Sequence, residues 1–145
     1  MLKWWLFTTI AIIFSGFLTA CSKAVTSPAA LMTNRPDPPP EYLEKRNPKE
    51  GNIEAANAGR EVYRIHCVMC HGEKGRGDGP VANSLSPKPQ SLAASQAGLS
   101  DAYLFWRISE GGLKKPFSSA MPTWKNILSE DEIWEIIAFL RTLKD

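Results

Sequence analysis

The stretch that decides the interpretation of this chain is Cys67-Val68-Met69-Cys70-His71. Apolar residues precede it at spacings of three and four, from about Glu54 to His66, as on one face of a helix. That face would carry Ala55, Ala58, Val62 and Ile65. Gly59 lies inside the pattern, where glycine costs about 1 kcal/mol relative to alanine, so we expect another helix to pass close to it. The sequence predicts a helix that leads directly into the cysteine motif.

The spacing of the motif indicates a specific chemistry. Two thiols three positions apart on a helical turn can add to the two vinyl groups of one haem, and the next imidazole can then bind the iron. A zinc site is the first alternative, but it needs four ligands and the motif supplies three. A thioredoxin-like redox pair is the second, but it expects a strand before the motif, where a helix is predicted. The motif favours one haem c attached through Cys67 and Cys70, with His71 as an iron ligand.

Met121 is the candidate for the second axial ligand of the iron. It lies in a short loop, Ser119-Ala120-Met121-Pro122, before the last predicted helix. The other methionines are less suitable, since Met69 is inside the motif, Met32 is in a proline-rich segment and Met1 belongs to the N-terminal signal. Elimination therefore favours Met121. The alternative is an ordinary methionine of the hydrophobic core.

Two further helices can be placed. The second begins at Ser100 as N-cap, buries Ala102, Phe105 and Ile108, and stops after Glu110 at a Gly-Gly pair. The third begins with a capping box at Ser129 and continues with apolar residues at helical spacing, which are Ile133, Ile136, Ile137, Leu140 and Leu143. Residues 72–98 are rich in glycine and proline and lack strand alternation. Loops of this length usually serve a site, so the sequence predicts an all-α domain with three main helices and long loops.

Residues 54–145 resemble a class I monohaem cytochrome c over essentially the whole predicted domain. The matching features, in chain order, are Gly59 and Tyr63, the motif through Gly72, the loop Gly77-Asp78-Gly79-Pro80, Met121-Pro122, and the terminal helix from Ser129. The resemblance implies a cytochrome c fold around a covalently attached haem, with the first and last helices crossing near Gly59. It also implies that the carbonyl of Pro80 accepts the free ring N–H of His71. Expected haem-pocket walls are Leu85, Leu92, Phe105, Trp106, Phe117 and Trp124. The alternative is that these are ordinary core residues, which would look the same in the sequence.

An iron held by both His71 and Met121 has no open position, so the expected function is one-electron transfer in a respiratory or photosynthetic chain, without catalysis on an organic substrate. The expected partners are redox proteins, above all a membrane-bound quinol-oxidising, oxidase or dehydrogenase complex. The main alternative is a haem enzyme or gas sensor in which Met121 leaves the iron.

Residues 1–20 are predicted to be an export signal. Lys3 supplies the positive charge, and the apolar run after it is shorter than the roughly 20 residues that a membrane span needs. The run ends at Leu18-Thr19-Ala20-Cys21, which resembles the lipobox of bacterial lipoproteins. The resemblance implies cleavage before Cys21 and a lipid on its sulfur. The alternative is an uncleaved N-terminal anchor. The expected location of the protein is the periplasmic or outer face of the cytoplasmic membrane, and the outer membrane is less favoured.

Residues 21–53 are rich in proline and have few apolar side chains. Such a segment buries too little surface to offset its ordering entropy. We therefore expect a lipid-anchored linker that acts as a solvated spacer. The alternative is that Arg35 to Asn47 lies in an extended groove on a partner subunit.

The length and composition of the chain limit the number of domains and the classes of partner. The chain has 145 residues, with 17 basic and 15 acidic side chains and a net charge of +2. This length fits one domain with extensions. So small a charge excess gives no broad cationic field for a phosphate backbone, and nucleic acid is not an expected partner.

Overall fold

The computed structural model describes residues 35–145. The predicted signal segment, Cys21 and the first part of the linker lie outside the described residues. The described part contains the helices α1 (Pro40–Leu43), α2 (Ile53–His66), α3 (Val68–His71), α4 (Leu92–Ser95), α5 (Asp101–Glu110) and α6 (Glu130–Leu140). No strand occurs between residues 35 and 145, which confirms the all-α fold class.

The three main helices begin at polar caps, and the sequence predicts the caps of α5 and α6. The Ser100 hydroxyl accepts a hydrogen bond from the backbone N–H of Tyr103 at the start of α5. Ser129 and Glu132 form the expected capping box of α6. Asn52 caps α2 by accepting two backbone N–H groups. These contacts satisfy N–H groups that a helix start leaves without partners.

The crossing of α2 and α6 is confirmed at Gly59. A Cβ atom at this position would overlap the backbone carbonyl of Glu135, so only glycine allows the observed approach. The buried face of α2 consists of Ala55, Ala56, Gly59 and Tyr63, with Val62 partly buried. The prediction for this face was wrong in part, since Ala58 is exposed and Ile65 is 72% exposed. The backbone contact at Gly59, and not the larger apolar side chains, sets the rotation of α2.

The core lies between α2, α5 and α6. Its aromatic contacts include Phe105 against Trp134, with ring centroids 4.3 Å apart, and Tyr63 against Phe139 at 5.1 Å. Ile133, Ile136, Ile137 and Leu140 of α6 are buried, as predicted. In the part of the chain that the structure describes, no helix is both long and apolar enough to cross a membrane.

Residues 35–52 pack on this helical core. The prediction of a solvated spacer was therefore wrong for this part of the linker. The side chain of Asn47 is buried and donates to the carbonyl of Trp134 over 3.1 Å, and its backbone N–H donates to Asp101 over 3.0 Å. Lys49 forms ion pairs with Asp131 and Glu135. Because polar contacts hold the segment on the core, its docking could not be predicted from the apolar residues in its sequence.

Glu110 connects this segment to the end of α5. One oxygen of its carboxylate accepts the Tyr42 hydroxyl over 2.6 Å and the Lys125 ammonium over 2.7 Å. The hydrogen bond from Lys125, followed by that from Tyr42, lowers the pKa of Glu110 below its ordinary value. A lowered pKa in the folded state means that the contact stabilises the protein above the pKa of the unfolded chain. The stabilisation is lost as the pH falls through the folded pKa.

We predict that Glu110→Gln lowers the free energy of unfolding by about 1 kcal/mol at pH 7, because the charge-assisted bonds become weaker. The difference from the wild type should shrink as the pH falls through the lowered pKa of Glu110, because the carboxyl then becomes neutral, as the amide is. Urea unfolding from pH 7 to pH 3 measures both. Glu61→Gln is the control, since Glu61 has only an exposed pair with Arg64. A difference that stays constant over this pH range would contradict the assignment.

Candidate functional site

The cysteine motif forms a single helical turn at the end of α2. The N–H groups of Cys70 and His71 both donate to the carbonyl of Cys67, over 3.1 and 2.9 Å. The N–H of Cys67 donates in turn to the carbonyl of Tyr63 over 2.8 Å. This turn is α3, and it continues from α2 without a linker. Cys67 and Cys70 are not joined in a disulfide, and both line the same cavity as His71.

A glycine-rich loop encloses this turn. The N–H groups of Gly77, Gly79 and Val81 donate to the carbonyls of His71, Cys70 and Met69, over 2.9, 3.3 and 3.1 Å. A Cβ atom on Gly79 would overlap the backbone of the motif. The buried Tyr63 hydroxyl donates to the carbonyl of Gly72 over 2.8 Å at the start of the loop. The loop therefore fixes the direction in which the motif presents its side chains.

The cavity has a volume of about 450 Å³, within the range of small-molecule and cofactor sites. Four of the expected pocket walls line it, namely Leu85, Leu92, Phe117 and Trp124. Phe105 and Trp106 do not line it. Both are buried instead, and Phe105 packs in the core against α6. Their positions on α5 explain the difference from the prediction. The residues of α5 that line the cavity are Tyr103, Leu104, Arg107 and Ile108.

Met121 lines the same cavity as Cys67, Cys70 and His71. Its carbonyl accepts the N–H of Gly112 over 2.8 Å, which ties its loop to the end of α5. Gly111 has φ +70°, and a Cβ atom there would overlap the carbonyl of Pro122. Met69, the other methionine of the domain, is 52% exposed. The structure thus brings together the four residues that the sequence proposed for cofactor attachment and ligation.

The environment of His71 favours a neutral imidazole. Burial lowers its pKa below the ordinary value, Arg107 acts in the same direction, and the backbone of Gln90 opposes them. A neutral imidazole is the form that binds metals. Nδ1 of His71 is buried and has no hydrogen-bond partner among the described residues.

The predicted role of Pro80 is not confirmed. The residue is exposed, it does not line the cavity, and its carbonyl does not reach Nδ1 of His71. The backbone of Gln90 acts on the pKa of the imidazole, against the larger effect of burial.

The Cys67 thiol lies in a buried environment. Burial, followed by the nearby Cys70, raises the pKa of the Cys67 thiol to about 12. Within residues 35–145, no group of three or more histidine, cysteine, aspartate or glutamate side chains is placed to hold a metal ion. Together with the buried imidazole and the thioether of Met121 at the same cavity, this donor set fits a haem held by thioether bonds.

Sequence reasoning missed three cationic residues at the cavity, which are Arg35, Lys88 and Arg107. Arg107 lies on α5, one helical turn after Tyr103, and this spacing could have placed both on one face. Its Nη2 lies 3.8 Å from the sulfur of Met121. Arg35 lies in the proline-rich segment, and no pattern in the sequence points to it.

The helical fold and a cavity lined by two cysteines, a histidine and a methionine define a cytochrome c domain. Residues 54–140 match the family model described as cytochrome c oxidase, cbb3-type, subunit III, and the chain belongs to this family. Membership implies covalently bound haem c.

Two curated relatives extend this result. The chain is 32% identical over 85 residues to the cytochrome c subunit of a quinone alcohol dehydrogenase from Gluconobacter oxydans, covering 59% of this chain and 18% of that protein. It is 26% identical over 103 residues to the subunit CcoP of a cbb3-type cytochrome c oxidase from Azospirillum brasilense, covering 71% and 33%. The chain thus spans a third or less of the length of these relatives.

Solved structures show the same fold. Cytochrome cL from Methylophaga aminisulfidivorans superimposes with a TM-score of 0.52 and 26% identity, over 67% of this chain and 60% of that one. Cytochrome cL from Hyphomicrobium denitrificans gives a TM-score of 0.52 with 20% identity, over 74% and 64%.

We predict that Gly79→Ala reduces covalent haem attachment. The added Cβ would overlap the backbone of the motif and force the loop away from it, at a cost of roughly 1–3 kcal/mol. The ratio of haem absorbance to protein mass, measured on purified protein, reports the effect. Pro80→Ala is the control, because Pro80 is exposed and the substitution leaves the backbone carbonyl in place. Full attachment in Gly79→Ala would show that the loop does not position the motif.

Proposed function

We propose that this protein is a one-electron carrier with a single haem c, attached through Cys67 and Cys70 and ligated by His71 and Met121. The observation that carries the proposal is that all four side chains line one cavity. Haem c, when bound there, supplies an iron that changes its charge by one electron.

The surrounding residues suit electron transfer. Apolar side chains such as Leu92, Trp124 and Leu128 line the cavity. An apolar surround and a methionine ligand both favour the less charged, reduced form and raise the reduction potential. His71 supplies a neutral nitrogen, and the backbone bond from Gly112 holds Met121 in its loop. Because His71 and Met121 would both bind the iron, the site would have no open position for a substrate.

The names of the relatives point to the class of partner. A dehydrogenase and an oxidase each contain a subunit similar to this domain. We infer that the protein exchanges electrons with a membrane-bound quinol-oxidising, dehydrogenase or oxidase complex, as a carrier between redox partners or as one of its subunits. Its place would be a respiratory or photosynthetic chain.

The proposed anchor is a lipid on Cys21, after removal of residues 1–20, at the periplasmic or outer face of the cytoplasmic membrane. Because residues 35–52 pack on the helices, only residues 22–34 would separate the lipid from the domain. A tether of this length with random-coil dimensions spans roughly 20 Å. The haem would then stay close to the membrane, which raises its effective concentration at membrane complexes.

Met121→Ala tests the ligand assignment. We expect the ferrous variant to bind carbon monoxide, because the iron loses its sixth ligand, and the oxidised variant to lose the far-red sulfur-to-iron band. Met69→Ala is the matched control and should keep the band and exclude carbon monoxide, since Met69 is exposed and outside the cavity.

The alternative function, a haem enzyme or gas sensor with a displaceable Met121, makes a different prediction. In that case the wild type itself would bind carbon monoxide, and Met121→Ala would change little. Such a result would overturn the carrier assignment.

A further inference from the structure

The cavity has an unusual balance of charge. Arg35, Lys88 and Arg107 line it, whereas the described residues place no aspartate or glutamate among its walls. Buried or half-buried cations are normally paired with anions. The haem of the proposed function carries two propionate carboxylates, so the question is which cation receives them.

Two of the three cations already have partners. The guanidinium of Arg107 lies 3.7 Å from the centre of the Phe117 ring, and its Nη1 donates to the carbonyl of Gly111. Lys88 is exposed and donates to the side chain of Asn83 over 3.0 Å. Neither side chain has a buried donor without a partner.

Arg35 is different. Its Nη2 donates to Oε1 of Gln90 over 2.8 Å, and the guanidinium lies 5.9 Å from the centre of the Tyr103 ring. Its Nη1 is buried and has no hydrogen-bond partner among the described residues. A buried, charged N–H without a partner is costly. An anion in the cavity would satisfy it.

We propose that Arg35 binds a haem propionate through Nη1, which makes the segment before the cytochrome domain part of the haem site. This inference rests on the proposed haem site and adds a residue to it. The planar guanidinium suits a carboxylate better than a lysine would, because it can offer two parallel N–H groups.

The contacts of residues 35–52 explain how Arg35 is held there. Tyr42 bonds to Glu110, and Asn47 bonds to Asp101 and Trp134. These anchors lie on α5 and α6, the helices that also line the cavity. Helices α5 and α6 would therefore hold both the segment of residues 35–52 and the haem. A partner protein that displaced this segment would change the reduction potential of the haem.

The sign of the effect follows from charge. The positive guanidinium disfavours the oxidised form, which carries one more positive charge on iron. Arg35→Gln should lower the reduction potential by an amount equal to a roughly three- to tenfold change in the reduced-to-oxidised ratio, where tenfold is about 59 mV. It should also shift the propionate bending band in the resonance Raman spectrum, which a purely structural role for Arg35 would not move.

The experiment uses the full-length, haem-loaded protein. Arg46→Gln is the control, because Arg46 is exposed, belongs to the same segment and contacts only nearby carbonyls. This control should keep the potential and the propionate band of the wild type.

An Arg35→Gln protein that matches Arg46→Gln in both measurements would overturn the proposal. If Arg35→Gln does not load haem, the same band is measured on Arg35→Lys: a shifted band supports the proposal and an unchanged band overturns it. Low-spin haem bands in the wild type, recorded first, test the proposed function independently of Arg35.

Discussion

The contact between Gly59 on α2 and the backbone of Glu135 on α6 is the constraint on which the rest of the structure depends. It brings the two helices close enough to bury Tyr63 between them, and α2 then ends at the cysteine motif. Ile136 and Leu140 of α6 line the cavity that receives the motif. A close helix crossing therefore decides where the cofactor site lies.

Two kinds of backbone hold the side chains of the site, namely a helical turn and a separate loop. The cysteines and His71 lie on a helical turn held by α2 and by the loop of Gly77 and Gly79. Met121 lies on a separate loop tied to the end of α5. Because each group has its own backbone support, the Met121 side chain is presented to the cavity independently of the motif.

Features that depend on residues close together in the sequence could be predicted from it. The caps of α5 and α6 depend on Ser100 and Ser129, and the motif depends on spacing alone, so all were predictable. Met121 followed from elimination among the methionines, and the structure brings it to the same cavity as His71. The buried face of α2 was wrong in part, because a glycine carries no hydrophobic signal. The docking of residues 35–52 depends on the pairs Tyr42–Glu110 and Asn47–Trp134, which are 68 and 87 residues apart along the chain. No local pattern encodes such pairs, and the same holds for Arg35 at the cavity.

The most direct test of this account is the absorption spectrum of the full-length protein, oxidised and reduced, with and without carbon monoxide. A carrier with haem c ligated by His71 and Met121 should give narrow low-spin bands, a far-red sulfur-to-iron band when oxidised, and no response to carbon monoxide. A high-spin or carbon monoxide-sensitive spectrum would contradict the ligand pair, and a protein without covalently bound haem would contradict the whole assignment.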